Sequence, residues 1–347
     1  MADLKTLIVA DRPLFCGEGM NFHDMELRLP VIGAPMFLVS GLELVLAQCR
    51  SGIVGTFPAL NARTSEILDD WLAEISETLQ TEGQRSVFGV NLIVHRSNNR
   101  IEQDLALLEK HKVPLIITSL GAHEEVTQAV HGWSGTVMHD VVNQRFAHKA
   151  VERGVDGLIL VAAGAGGHAG IQSPFAMMAE TRAWFDGQIA LAGAISSGRA
   201  IHAAHVLGAD FSYIGSPFIA CEESLASSEY RQMIVDGSAD DILYTDAFSG
   251  VLGNYLKPSI ERSGLDLDTL GRNEKTGMSF ASGSGGEMST RKAWRDVWGS
   301  GQGIGSIEQV LPVAGLVDQL EKEYQAAVVG HCSEKPVIRQ TPKRHNE

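Results

Sequence analysis

The chain has 347 residues, 44% of them hydrophobic, enough for one large domain or one domain with an added lobe. Its formal charge of −14 argues against nucleic acid or an anionic membrane as the main partner. Four scattered cysteines, Cys16, Cys49, Cys221 and Cys332, form no CxxC pair and read as reduced thiols of a cytoplasmic protein, not as a disulfide frame or a metal site.

The first thirteen residues carry Asp3, Lys5, Asp11 and Arg12 around a short apolar stretch, which does not read as a signal peptide. No apolar run reaches the length of a membrane span. From Pro30 to Ala220, short apolar runs alternate with longer amphipathic ones. Strands are predicted over 31–35, 52–57, 88–93, 115–119, 136–139, 157–162, 189–192 and 211–215. Helices are predicted over 42–50, 64–81, 100–111, 124–130, 144–153, 174–185 and 199–207. Gly154 and Gly208 follow two of these helices and read as C′ residues closing them.

Tandem strand–helix units imply parallel strands with right-handed crossovers, and eight strands is the number that closes a (β/α)8 TIM barrel. An open doubly wound sheet shares the same alternation. The α/β barrel is assigned to 1–220, and a smaller, mainly helical and loop lobe (221–306) follows the eighth strand as a substrate lid. Within it, 222–270 is polar and helix-prone, and 277–286 is rich in glycine and serine. A helix over 307–330 is expected to pack back on the barrel, ahead of a mobile, charge-rich tail over 331–347.

Barrel active sites form at the C-terminal ends of the strands. Those ends here read Gly33-Ala34-Pro35-Met36, Asn91-Leu92, Ser119-Leu120-Gly121, His139-Asp140, the 164–170 loop, Gly193-Ala194 and Gly215-Ser216. Glycine and small polar residues dominate, which suits a large planar ligand with a phosphate tail. Asp140 is the one carboxylate in the set, so paired-carboxylate hydrolysis is disfavoured. Backbone N–H groups at Gly193, Ala194, Gly215 and Ser216 lie after the seventh and eighth strands, where barrels commonly hold phosphate. Each glycine alone is explained by a simple turn; their joint placement favours the phosphate reading.

In the 164–170 loop, Gly164, Gly166, Gly167 and Gly170 surround His168, the one side chain there that moves a proton near neutral pH. A histidine in such a loop also serves as an ordinary hydrogen-bonding residue, and His139 can merely close its strand. HExxH, GxxxxGK[ST] and GxSxG patterns are absent, and GxGxxG fits poorly because Ala169 takes the last glycine position. Met36 reads as core packing or as a soft face for an aromatic ring. Trp294 and Trp298 read as a buried helix face, or Trp298 with Gly301-Gln302-Gly303 as a lid.

Taken together, Pro30–Met36 (PVIGAPM), Phe88-Gly-Val-Asn91, the 164–170 loop, Leu191-Ala-Gly-Ala194 with Gly198, and 208–218 (GADFSYIGSPF) resemble the nitronate monooxygenases, formerly 2-nitropropane dioxygenases. The likeness spans 28–225, with more at 294–303. The resemblance implies an FMN-binding TIM barrel that oxidises alkyl nitronates or nitroalkanes with O2 to carbonyl compounds and nitrite. On that model His168 is the catalytic base. FMN then contacts Ala34, Pro35, Met36, Asn91, His139, Asp140, Gly166, Gly167, Gly193, Ala194, Gly215, Ser216 and Gln302, with no metal. Some relatives have a lysine where Asp140 stands, and Thr-Arg at Ser216-Pro217. The glycine–histidine loop is shared with FMN-dependent quinone and enoyl-acyl-carrier-protein reductases, so an NAD(P)H-using reductase is the alternative. A non-catalytic flavin module is a third reading, and a homodimer is compatible with all of them.

Overall fold

The structure, a computed structural model, describes residues 25–83, 87–248, 250–267, 270 and 296–333, without the side chains of 331–333. Cys16, the side chain of Cys332, the 277–286 stretch, Trp294 and the tail beyond 333 fall outside the described residues. Strands are β1 (Val31–Gly33), β2 (Gly55–Pro58), β3 (Phe88–Ile93), β4 (Leu115–Ser119), β5 (Thr136–Val141), β6 (Gly157–Val161), a two-residue β7 (Gly167–His168), β8 (Gln188–Ala192) and β9 (Phe211–Ile214). Helices α1 (Leu42–Arg50), α2 (Ser65–Thr81), α3 (Ile101–Lys110), α4 (Glu124–Gly132), α5 (Gln144–Glu152), α6 (Pro174–Arg182) and α7 (Gly198–Val206) alternate with them.

All strands but β7 form one eight-stranded parallel sheet in the order β1-β9-β8-β6-β5-β4-β3-β2. A parallel bridge between Ile32 and Val54 joins its two ends, which makes the sheet a barrel and sets aside the open doubly wound alternative. Strand residues alternate between two apolar layers. Ile32, Val54, Ile117, Met138, Ile159 and Phe211 fill the barrel interior. Phe57, Val90, Ile116, Val137, Leu158 and Leu191 pack outward beneath the helices. Burial on both sides explains why these strands read as continuous apolar runs. Gly154 and Gly208 take the left-handed conformation, at φ +82° and +101°, and stop α5 and α7 as their positions predict.

After β9 come α8 (Ser216–Ile219), α9 (Ser228–Asp236), β10 (Ile242–Thr245), β11 (Gly253–Leu256), α10 (Lys257–Arg262) and α11 (Val313–Ser333). The helix-prone reading of 222–270 does not hold over β10 and β11, which form an antiparallel hairpin and pair onward with β7. Acidic Asp240 and Asp241 suggested helix, but the Ile-Leu-Tyr-Thr run they precede is β-type in composition.

Helix α11 starts later than the predicted 307 and lies on α7 and α1. Val313, Val317 and Leu320 share one core cluster with Ile201 and Ile214. The contact is tight at Gly198, where an added Cβ would lie 2.1 Å from the Leu320 carbonyl oxygen and 2.3 Å from the Tyr324 nitrogen. The Gly198 N–H donates to Glu323 Oε2 at 2.8 Å, satisfying an open donor of the first turn of α7. Because backbone on both sides resists movement, Gly198→Ala is expected to lower the unfolding free energy by roughly 2–3 kcal/mol, read from urea midpoints.

Candidate functional site

The apolar run of β6 ends where two backbones meet too closely for side chains. Gly164, at φ +86°, offers its carbonyl oxygen to the Ala194 N–H at 3.2 Å and the Gln302 N–H at 2.9 Å. A Cβ on Gly166 would lie 2.8 Å from the Gly301 nitrogen, and one on Gly301 would lie 2.7 Å from the Gly164 oxygen. The 164–170 loop is therefore seated against the 300–303 segment, far along the chain. Next, Gly167 and His168 form β7 and pair with Asn254 and Gly253 of β11. Asn254 Nδ2 donates to the Ala165 oxygen at 2.6 Å, and the Tyr244 hydroxyl donates to the Ala169 oxygen at 2.7 Å. His168 thus stands on a strand, held by a hairpin, and burial pushes its pKa below the usual 6.5. Its imidazole is set to be neutral, the form that accepts a proton.

The expected phosphate loops converge beside it. Gly193 has φ +136°, and a Cβ there would lie 2.7 Å from the Ala163 oxygen; Ala194 itself is left-handed at φ +53°. Ser216 Oγ accepts from the Gly301 N–H at 2.9 Å and from Ser300 Oγ at 3.2 Å. Ser196 Oγ donates to the Gly303 oxygen at 2.7 Å. On the β1 side, the Ala34 N–H donates to the Ile214 oxygen at 2.7 Å, and a Cβ on Gly215 would lie 3.4 Å from Met36 Sδ. Met36 is fixed through its backbone: its N–H donates to Ser40 Oγ at 2.9 Å, and Asn61 Nδ2 donates to its oxygen at 2.9 Å. Pro35 lies between these anchored neighbours.

A polar row crosses the barrel interior under this rim. Asn91 Nδ2 on β3 donates to Ser119 Oγ on β4 at 2.7 Å, and Ser119 Oγ donates to Asp140 Oδ2 on β5. Burial pushes the Asp140 carboxyl up to about 6, against the pull of the Ser119 hydrogen bond. Across the barrel, Tyr213 on β9 has its phenol pKa raised, by burial first and by the Asp140 charge second.

His139 does not join this row. Side chains alternate along a strand, so Met138 and Asp140 face inward while His139 faces the helices. It is buried there, with Nδ1 2.8 Å from Thr118 Oγ1, and its pKa is pushed down to about 4 by burial. The structure thus places His139 apart from the Asn91–Ser119–Asp140 row. Trp298 precedes Gly299, where an added Cβ would lie 3.5 Å from the Gly167 nitrogen. Its ring stacks on Tyr230 at 4.6 Å between centroids, and the Arg262 guanidinium lies 3.6 Å over it. It borders a cavity of about 430 Å³ lined by Ser227, Glu229, Arg262, Ser263 and Asp296, none of them a predicted site residue.

Ser40, Asn61, Tyr213 and Asn254 contact the candidate site residues or lie in the same interior, and sequence reasoning did not single them out. Ser119 was legible as a polar strand end; Asn254 had no local signal. Among the described residues, no group of three or more His, Cys, Asp or Glu is placed to hold a metal. No described helix is long and apolar enough to cross a membrane.

A family model described as nitronate monooxygenase matches residues 57–323. A nitronate monooxygenase of Paraburkholderia phytofirmans is 27% identical over 354 residues, covering 86% of this chain and 93% of that protein. A probable nitronate monooxygenase of Bacillus subtilis is 28% identical over 183 residues, covering 50% of this chain and 52% of that protein. Among solved structures, a nitroalkane oxidase from Streptomyces ansochromogenes superimposes with a TM-score of 0.75 at 20% identity, covering 88% of this chain and 98% of that one. FabK from Thermotoga maritima gives 0.74 at 21%, covering 89% and 97%. At such identities these two likenesses concern the fold.

Asp140 yields a pH test of the site. Its folded pKa, about 6 against an ordinary 3.8, means that the native state holds more protons than the unfolded state between those values. Its contribution to stability therefore falls as pH rises through that window. Asp140→Asn removes the buried charge and keeps an oxygen to accept from Ser119. The variant is expected to match the parent near pH 4 and exceed it by roughly 1–3 kcal/mol at pH 8, in urea melts at each pH.

Proposed function

The chain belongs to the nitronate monooxygenase family, oxidoreductases whose members are generally flavin enzymes, and we propose that it oxidises nitroalkanes or their nitronates with O2 to carbonyl compound and nitrite, using FMN. The observation that carries the reading is the seating of His168. Strand pairing holds a half-buried, neutral-leaning imidazole beside glycine loops inside the region matched by the family.

The residues present fit FMN. The β8 and β9 loops and the 300–303 segment meet through glycines where Cβ atoms would clash, leaving backbone and small hydroxyls to face a ligand. Gly193, Ala194, Gly215 and Ser216 would hold the phosphate. Ala34, Pro35, Met36, Asn91, Asp140, Gly166, Gly167 and Gln302 would border the ring. When bound, FMN supplies the electron chemistry that couples substrate oxidation to O2.

The protein's own part is proton handling, orientation and exclusion of water. His168, uncharged in its buried setting, takes the α-proton of a neutral nitroalkane; a preformed nitronate needs no such step. The β7–β11 ladder and the Asn254 and Tyr244 hydrogen bonds keep the ring from drifting. Ala165, Ala169 and Ala192 form a small apolar cluster with Val161, which keeps water from the imidazole side.

Purified protein is expected to be yellow. His168→Asn should retain the flavin spectrum while losing about 100-fold or more in kcat/KM on neutral nitroethane, with a smaller loss on ethyl nitronate. A colourless protein that takes up no FMN would sink the proposal. Rapid anaerobic bleaching of the flavin by NADH, with none by nitronate, would transfer the chain to the reductase reading.

A further inference from the structure

Resting on that reading, we propose that this site prefers the neutral nitroalkane to the anionic nitronate, and that Asp140 is the residue that sets the preference. Three features of this chain disfavour an anion in the chamber.

The first is an uncompensated carboxyl. Asp140 lies on the inner face of β5 and accepts from Ser119, and among the described residues no Lys or Arg pairs with it. The groups facing it from neighbouring elements add no positive charge. Asn91 of β3 and Ser119 of β4 are dipoles, and Tyr213 of β9 holds its proton more tightly than an ordinary phenol. His168 of β7 has its pKa lowered by burial alone, so it too leans neutral. The second feature connects that carboxyl to the reacting region. Tyr213, which senses the Asp140 charge, packs in one apolar cluster with Ala165 and Ala169, the residues that flank the histidine turn. Tyr213 thus links the Asp140 side of the chamber to the turn that carries His168.

The third feature is the approach. Past His168 two large apolar side chains are exposed: Ile171 is 76% exposed and Phe175 at the start of α6 is 67% exposed. Leu252, also exposed, has its oxygen bonded to the Ala169 N–H. With a net charge of −14, the chain offers no long-range field that would gather anions.

A neutral nitroalkane meets none of these penalties. Its Cα–H bond breaks at His168, the proton forms the imidazolium N–H, and the electron pair stays on the new nitronate. The anion is thus born beside a cation, with no change in the net charge of the chamber. A nitronate arriving from solution brings a second negative charge beside Asp140, and binds well only once that carboxyl has taken up a proton. Like charges in one site shift ionisation by a unit or more, which is about tenfold or more in affinity.

The test is calorimetric titration of the purified holoenzyme with sodium nitrite, an anion throughout the range, between pH 5 and pH 8. The parent is expected to lose about tenfold in nitrite affinity over that range. Asp140→Asn should show a flat profile and bind nitrite about tenfold more tightly than the parent at pH 8, and His168→Asn should keep the parent's slope. In turnover, the kcat/KM ratio of ethyl nitronate to nitroethane at pH 8 should rise about tenfold in Asp140→Asn. A flat parent profile, a slope abolished by His168→Asn, or an unaltered nitrite affinity in a folded Asp140→Asn overturns the inference. Should Asp140→Asn not fold, the parent and His168→Asn profiles decide. A protein without flavin defeats the proposed oxidation, while the nitrite profiles still decide the role of Asp140.

Discussion

The mouth of the barrel depends on a single close approach, between the backbone at 164–166 and the backbone at 300–301. Gly164, Gly166 and Gly301 leave no room for a methyl group between them, and the Gly164 carbonyl binds two chain segments at once. Through that contact the loops after β6 and β8 are fixed to each other, and Ser216 after β9 is fixed to Gly301. A side chain at Gly166 or Gly301 would force the segments apart, and the ring of small residues would lose its shape. The histidine follows from the same constraint, because the loop must be pinned before β7 can lie in register with β11.

Below the rim, the barrel changes character over the last residues of its strands. Its floor is apolar, from Ile32 to Phe211, and its upper layer holds Asn91, Ser119 and Asp140 in one hydrogen-bonded row. A buried polar row is costly unless its members satisfy one another, so the row also fixes the rotamers of all three. That arrangement makes Asp140 a rigid feature of the chamber. A mobile surface carboxylate would be screened by water; this one is held in place, and its proton is the adjustable part.

Much of this architecture was legible in the amino-acid sequence. The predicted 88–93 and 115–119 strands and the 42–50 helix coincide with β3, β4 and α1, because doubly buried strands are continuous apolar runs bounded by turns. The glycine–histidine loop and the Gly193 and Gly215 turns were legible because backbone demands leave a compositional mark. Face was harder to read. His139 and Asp140 are adjacent, both polar and both at a strand end, and only the register of β5 against β4 separates them. The hairpin contacts of Asn254 and Tyr244 were beyond local reading, since their partners are distant in sequence and the contacts are backbone carbonyls, which carry no residue identity.

The three-stranded sheet of β10, β11 and β7 has a consequence for how the chain moves. Its link to the histidine is two residue pairs long, as is the β8–β9 ladder of the barrel. Asn254 and Tyr244 add side-chain bonds to that link, and Ile242 and Leu256 pack with Ile219 and Ile234, so the histidine strand and the hairpin behave as one local unit. Departure of the hairpin would free the glycine loop on the β11 side. Amide exchange in the hairpin would then track the opening and closing of the histidine side, and amides of β4 and β5 would report the stability of the whole barrel.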